Sequence, residues 1–425
     1  MGSCLILAAA LAGAYPLDGD HYTGISRLEG YRLFQEGKKT GGQWVPAGAR
    51  LKAKQVDLRL TQRPNLQIPP ADPDFTADVV ALLGDDADLY GLAVLDLTNL
   101  DKPRYAEHRA GQSFNPGSVG KLAVAMGIFQ ALAETYPEDV SARERVLRDS
   151  QVVADGFIRH DHHKVPLWNP QSQQLTHRPV QEGDRANLWT YLDWMMSASS
   201  NAAASMSIKH LMLLSHFGRE YPVSEVQAAA FFNKTSKGAL GAVLKDALDR
   251  GVSASGLGTN AFRQGKFFTR EGKRRVPGLI SYATPRELMR FLFHLEQGKV
   301  ADLFSSREIK RLMYMTQRRI RYASSPALYD AAVYFKSGSM YRCRPEPGFK
   351  CRKYRGNVQN LLNSVVIVEA PAGSEKPLFY MAVLTSNVLK INAAMAHQTL
   401  ATRLHELIEQ RYLHVAEDEI IQPDN

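Results

Sequence analysis

Strand-forming segments stand near both ends of this chain, and the long stretch between them carries helical spacing for most of its length. Ahead of that stretch, Tyr90–Asp96 and residues 104–109 flank a turn at 98–102 and read as a β-hairpin. Behind it, residues 331–336, 363–369 and 378–386 are β-rich, with a turn at 371–374 joining the last two. This order predicts an α+β fold in which one sheet is made from both ends of the chain.

Helical periodicity fills in the rest. Leu122, Val124, Ala125, Ile128 and Leu132 recur after Ser118, and Leu188, Leu192 and Met195 lead toward Ser199 from a helix that Asp184 is placed to cap. Thr284-Pro285-Arg286-Glu287 reads as a capping box with proline at the first helical position. A helix opening at Asp74 precedes the hairpin, and residues 393–411 form a closing helix with Ala396, Leu400, Leu404, Leu407 and Ile408 on one face. Residues 15–73 are polar and irregular and end on Pro64, Pro69, Pro70 and Pro73, so they are expected to be an N-terminal extension with a proline-rich linker.

At 44% hydrophobic and 22% charged over 425 residues, the chain is neither disordered nor fibrous and has length for one large core or two. Its net charge of +9 suits a nucleic acid, an anionic envelope surface or an acidic substrate, but no nucleic-acid motif accompanies it. Residues 4–12 are apolar and lead to Ala12-Gly13-Ala14, which fits a secretory signal over 1–14; a short apolar strand or helix is the other reading. No later run is long enough for a transmembrane segment. With Cys4 inside the signal, Cys343 and Cys351 remain, and an even pair in a short hairpin suggests a disulfide in a periplasmic or secreted protein. Two free thiols are the alternative.

Three short motifs stand in a fixed order: Ser118-Val119-Gly120-Lys121, Ser199-Ser200-Asn201 and Lys336-Ser337-Gly338. S-x-x-K, S-x-N and K-[ST]-G in this order resemble the signature set of the serine β-lactamase and penicillin-binding protein superfamily, class A β-lactamase-like in type. The resemblance covers residues 74–412. It implies a five-stranded antiparallel sheet flanked by helices, here 74–117 and 276–425, plus an all-helical subdomain over 118–275, with the site between them. It also implies a hydrolase that needs neither metal nor other cofactor.

The residues themselves explain the chemistry. A serine hydroxyl is a weak nucleophile and needs a base in reach, and Lys121, one helical turn beyond Ser118, is the candidate if its pKa is depressed by burial and by a neighbouring charge such as Lys336. By resemblance, Ser199 is a proton shuttle, Asn201 orients Lys121 or the substrate, and the N–H groups of Ser118 and Ser339 form an oxyanion hole. Ser337 and Gly338 are expected at the substrate carboxylate. Arg342 and Arg344 begin a basic segment that also holds Lys350, Arg352, Lys353 and Arg355 against Glu346 alone, and it is expected to overhang the cleft; a solvated hairpin is the alternative.

Several departures stand out. Ser200 replaces the aspartate usual in β-lactamases, both motif spacings are long, and no E-x-x-L-N element with a deacylating glutamate lies between Asn201 and Thr284, where Glu220, Glu225 and Glu271 are the only glutamates. His160-Asp161-His162-His163 reads as surface histidines rather than a metal cluster, and the basic stretch 310–321 as a solvated or ion-paired face. The predicted substrate is a small molecule or peptide amide, such as anionic cell-wall material. A divergent β-lactamase and a non-turnover penicilloyl-binding scaffold are the alternatives.

Overall fold

A computed structural model describes residues 15–40, 45–315 and 319–421, with side chains as far as residue 412. The expected signal with Cys4 and the basic residue Arg318 lie outside the described residues. Five strands form the frame: β1 (Tyr90–Asp96), β2 (Arg104–His108), β3 (Ala332–Arg342), β4 (Gln359–Ala370) and β5 (Leu378–Asn387). They lie antiparallel in the order β2-β1-β5-β4-β3. The two chain ends join where β1 meets β5, with Ala93 opposite Val383, and β3 is left as an edge strand.

The helices that matter for the site are α1 (Pro73–Ala81), α2 (Lys121–Thr135), α3 (Leu188–Met196), α4 (Asn201–Phe217), α5 (Lys237–Ala254), α6 (Pro285–Glu296), α7 (Leu303–Met313) and α8 (Ala394–Ile421). Side chains alternate across a strand, so each face of the sheet buries its own set. Leu92, Val94, Val366, Val368, Ala382 and Leu384 pack with Phe75 and Val79 of α1 and Leu400, Leu404 and Ile408 of α8. Ala93, Leu95, Val365, Ile367, Met381 and Val383 face the larger core built with α2 and α6. α2 is apolar nearly all round, the pattern of a helix enclosed on every side. Its first residue, Lys121, is fully buried with it.

Three helix starts differ from expectation in how they are capped. Asp72 accepts from the Phe75 amide, with Pro73 at the first helical position, so α1 opens before Asp74. Asn187 caps α3 through the Thr190 amide, because Asp184 is taken by Arg178 and the Gln181 amide. Thr284 does cap α6, but the Glu287 carboxylate turns away to the Gly258 amide at 2.6 Å and to Arg290. The middle of the chain also carries a ribbon, Lys164–Asn169 against Gln174–Pro179, beside its helices.

The described residues between 15 and 60 pack into the body of the fold rather than forming the extension their polarity predicts. Tyr15, Ile25, Leu28, Leu51, Val56 and Leu60 belong to the larger core. Arg27 is buried against Asp193 of α3, with Nε donating at 2.6 Å. Arg59 donates to Glu369 of β4 at 2.8 Å, and its amide donates to Glu296 of α6. Lys310 of α7 completes that cluster, 2.6 Å from both Glu296 and Glu369. Of the basic stretch from Lys310, the described cations are engaged rather than solvated: Lys310 and Arg311 are ion-paired, Arg319 donates to the Ala331 carbonyl and Arg321 to the Gly338 carbonyl.

Candidate active site

Ser118 sits on a single 3-10 turn, Gly117–Gly120, that runs straight into α2, so Lys121 comes after it on the same side one turn later. Lys121 Nζ donates to Ser118 Oγ at 2.9 Å, to Asn201 Oδ1 at 2.9 Å and to the Ser199 carbonyl at 2.6 Å. Lys336, on β3, donates to Ser199 Oγ at 3.0 Å and to the Ser337 carbonyl at 2.9 Å. Ser199 Oγ thus stands between two amines, with Lys121 Nζ 3.4 Å away on its other side.

The turn between α3 and α4 makes this possible. Ser199 has φ of +56°, a left-handed conformation that costs a non-glycine residue roughly 1–3 kcal/mol and is held by the capped start of α4. Ser200 forms that cap by accepting from the Ala203 amide at 3.1 Å, which fixes Asn201 as the first helical residue. The bend aims the Ser199 carbonyl and hydroxyl at the lysines.

Both lysines are buried, and both have depressed pKa values. Burial pushes Lys121 down to about 7, with Asp161 opposing the shift. Burial, then the Lys121 charge, then Arg321 hold Lys336 well below its ordinary value. Two cations this close cannot both stay charged without a carboxylate between them.

A family model described as the β-lactamase enzyme family matches residues 75–406. The chain belongs to this family. No curated protein matches the chain. Among solved structures, a β-lactamase from Sphaerobacter thermophilus is 15% identical with a TM-score of 0.50, covering 80% of this chain and 98% of that one. PBP-A is 13% identical with a TM-score of 0.46, covering 81% and 100%. The fold is the β-lactamase/transpeptidase fold, and the family is one of serine β-lactamase-like hydrolases.

Against that family's usual site, two departures stand out. The carboxylate missing at Ser200 arrives from Asp161, whose oxygen accepts from Ser200 Oγ at 3.0 Å and from the Ala202 amide at 2.8 Å. Its other oxygen accepts from the amides of His162 and His163 and from His163 Nδ1. Burial would raise this acid, but these donors outweigh it and hold it far below the usual carboxylate range. His160 and His162 are exposed, as their sequence suggests, whereas His163 turns inward. Sequence reasoning missed Asp161 because nothing local ties it to a motif some forty residues on.

The second departure is the missing E-x-x-L-N element. Phe268 stands with its ring centroid 4.8 Å from Lys121 Nζ. Glu271 is engaged by Arg274 and Arg275, and Glu225 by Arg185. The cavity in front of Ser118, about 420 Å³, is lined by His162, His163, Asn201, Phe268, Lys266, Lys273, Ser339, Lys353 and Tyr354 among others. Among the described residues, no carboxylate lines it.

The basic hairpin does reach this cavity, through residues other than those expected. Cys343 and Cys351 are bridged, with Cα atoms 6.1 Å apart. Arg342 continues β3 opposite Gln359, and Arg344 exchanges backbone hydrogen bonds with the Asn357 side chain; both side chains are exposed and neither lines the cavity. Lys353 and Tyr354 line it instead. Burial alone would raise the Tyr354 hydroxyl, but Arg321, Lys353 and a hydrogen bond with Ser339 bring it below its ordinary value.

Ser337 and Gly338 are also absent from the lining. At Gly338 the reason is a close approach: a Cβ there would stand 2.2 Å from the Pro116 carbonyl oxygen. A Cβ at Gly117 would likewise meet the Ser339 nitrogen at 2.9 Å, so the third motif is pressed directly against the Ser118 turn. Glycine at both positions permits that contact.

Proposed function

We propose that this protein is an exported serine hydrolase that cleaves an amide through an acyl-enzyme on Ser118. The observation that carries the reading is the buried Lys121 amine 2.9 Å from the Ser118 hydroxyl, with its pKa near 7. A neutral amine there accepts the hydroxyl proton as Oγ attacks the carbonyl carbon. The developing oxyanion is received by the N–H groups of Ser118 and Ser339; the outward amides of an edge strand such as β3 are not used by the sheet. The proton then passes through Ser199 Oγ to the leaving nitrogen, the C–N bond breaks, and the acyl group remains on Ser118. Asn201 keeps Lys121 in register through its Oδ1.

Lys266, Lys273 and Lys353 around the cavity support a substrate that carries carboxylates, such as a peptidoglycan stem peptide or related cell-wall material. The Cys343–Cys351 bridge supports a periplasmic or secreted location, since disulfides persist in oxidising compartments. Incubation with benzylpenicillin followed by intact mass tests the reading. An adduct of penicillin mass on the wild type and none on Ser118→Ala is the expected result. The absence of both an adduct and any hydrolysis of the penicillin by the wild type would remove the acyl-serine reading.

A further inference from the structure

An acyl-enzyme that turns over needs a base for the water that releases it, and the lining of this cavity offers no carboxylate among the described residues. It does offer an imidazole already set up for the task. His163 Nδ1 lies 2.5 Å from Asp161 Oδ1, so the proton sits on Nδ1 and the lone pair is on Nε2. Nε2 has no hydrogen-bond partner among the described residues, and the ring lines the cavity that exposes Ser118 and Asn201. Asp161 is held in place: its side chain is 3% exposed and its other oxygen accepts from Ser200 and from the α4 amide of Ala202. The same carboxylate thus fixes both the second motif and the imidazole.

We propose that His163, oriented by Asp161, is the general base that releases the acyl group from Ser118. The inference rests on the acyl-serine reading above. In the step, Nε2 takes a proton from water, and the water oxygen bonds to the ester carbonyl carbon. The tetrahedral adduct collapses with cleavage of the carbon–Oγ bond. The proton returns from the imidazolium, directly or through Lys121, to Ser118 Oγ, leaving a free carboxylic acid and the intact serine. Asp161 is a positioning residue in this scheme, since it meets neither water nor acyl group.

The surroundings suit a base that works near neutrality. Facing the ring are Asp161 and His162 of its own loop, the latter stacked at 5.1 Å, and Lys121 of α2, while Lys266, Lys273 and Lys353 line the same cavity. Burial depresses the imidazole below its ordinary value, Asp161 opposes that, and Lys121 adds to it.

The test compares wild type, His163→Gln and His163→Asn after a pulse of benzylpenicillin, with adduct formation and decay read by intact mass. Asparagine keeps a donor near Nδ1 for Asp161 and so preserves the loop, but lacks Nε2. Both variants are expected to acylate within a few-fold of the wild-type rate and to release the adduct roughly 10²–10⁴-fold more slowly. Wild-type decay should slow about tenfold per pH unit below the imidazole pKa, the variants should lack that dependence, and added imidazole should restore part of the rate. A merely structural role would yield neither the rescue nor the lost pH limb. Equal decay in all three proteins, or a wild-type adduct that does not decay, overturns the role of His163 and leaves the acyl-serine reading standing. No adduct on any of them, with no hydrolysis of the penicillin, overturns both.

Discussion

Two lysine sites in this molecule are equally buried and electrostatically opposite. Lys310 lies between Glu296 and Glu369, and those carboxylates hold its ammonium above the ordinary value in spite of burial. Lys121 and Lys336 lie near hydroxyls, carbonyls, an amide oxygen and each other, and burial drives both down. The difference teaches that burial does not decide whether a lysine is charged; its partners do. A paired ammonium ties elements together, whereas an unpaired one becomes an amine able to move protons.

The widest contrast is expected on replacing each lysine by methionine. Lys121→Met should lower the acylation rate by about 10²–10⁴-fold with little loss of stability, since it removes an uncompensated buried amine. Stopped-flow acylation beside a urea melt measures both. Lys310→Met should do the reverse: two carboxylates left buried without their cation cost about 3–5 kcal/mol in the melt, while the folded fraction keeps its acylation rate. Equal losses of stability in the two variants would erase the distinction.

Titration sharpens the same contrast. Acylation should rise as pH passes through about 7, where Lys121 becomes neutral, and level off above. Because Lys121 titrates below its unfolded value of 10.5, the unfolded chain holds the extra proton between the two. Stability therefore gains about 1.4 kcal/mol per pH unit from this group across that window. Lys310, shifted upward, contributes stability that is present below 10.5 and lost as pH rises through its raised value. Comparing melts of wild type and Lys121→Met between pH 7 and 10 isolates the Lys121 contribution, which the variant should lack.

The smallest effect concerns the hairpin. Lys353→Ala should lower kcat/KM for a carboxylate substrate a few-fold at low salt and less at high salt, while Arg342→Ala with Arg344→Ala should leave it unchanged. A larger loss in the double arginine variant would return the steering role to the strand end.

The part of the site carried by local motifs is legible in the sequence, because S-x-x-K on a helix start and a strand lysine place their groups through short-range geometry alone. So is the sheet, whose strands are strongly patterned. Asp161, His163 and Phe268 are not, since each reaches the site from a loop distant in sequence. The described residues between 15 and 60 escape for a different reason: most of their buried side chains are scattered anchors such as Tyr15, Val56 and Leu60, and their one longer helix, Arg27–Gln35, buries only Leu28 and Tyr31 as large apolar side chains. The basic hairpin lies over the site as its position after the third motif suggests, but exposed side chains on an irregular segment give no sign of which will turn inward.

The buried pairs made by Arg27 and Arg59 redraw the smallest piece of this chain that can stand by itself. The family match begins at residue 75, yet a fragment cut there would strip Asp193 of its guanidinium, withdraw one from Glu369, and open the core where Ile25, Leu28 and Leu60 are seated. The autonomous folding unit is therefore larger than the homologous one, and the described residues between 15 and 60 act as a covalent clasp around the catalytic body.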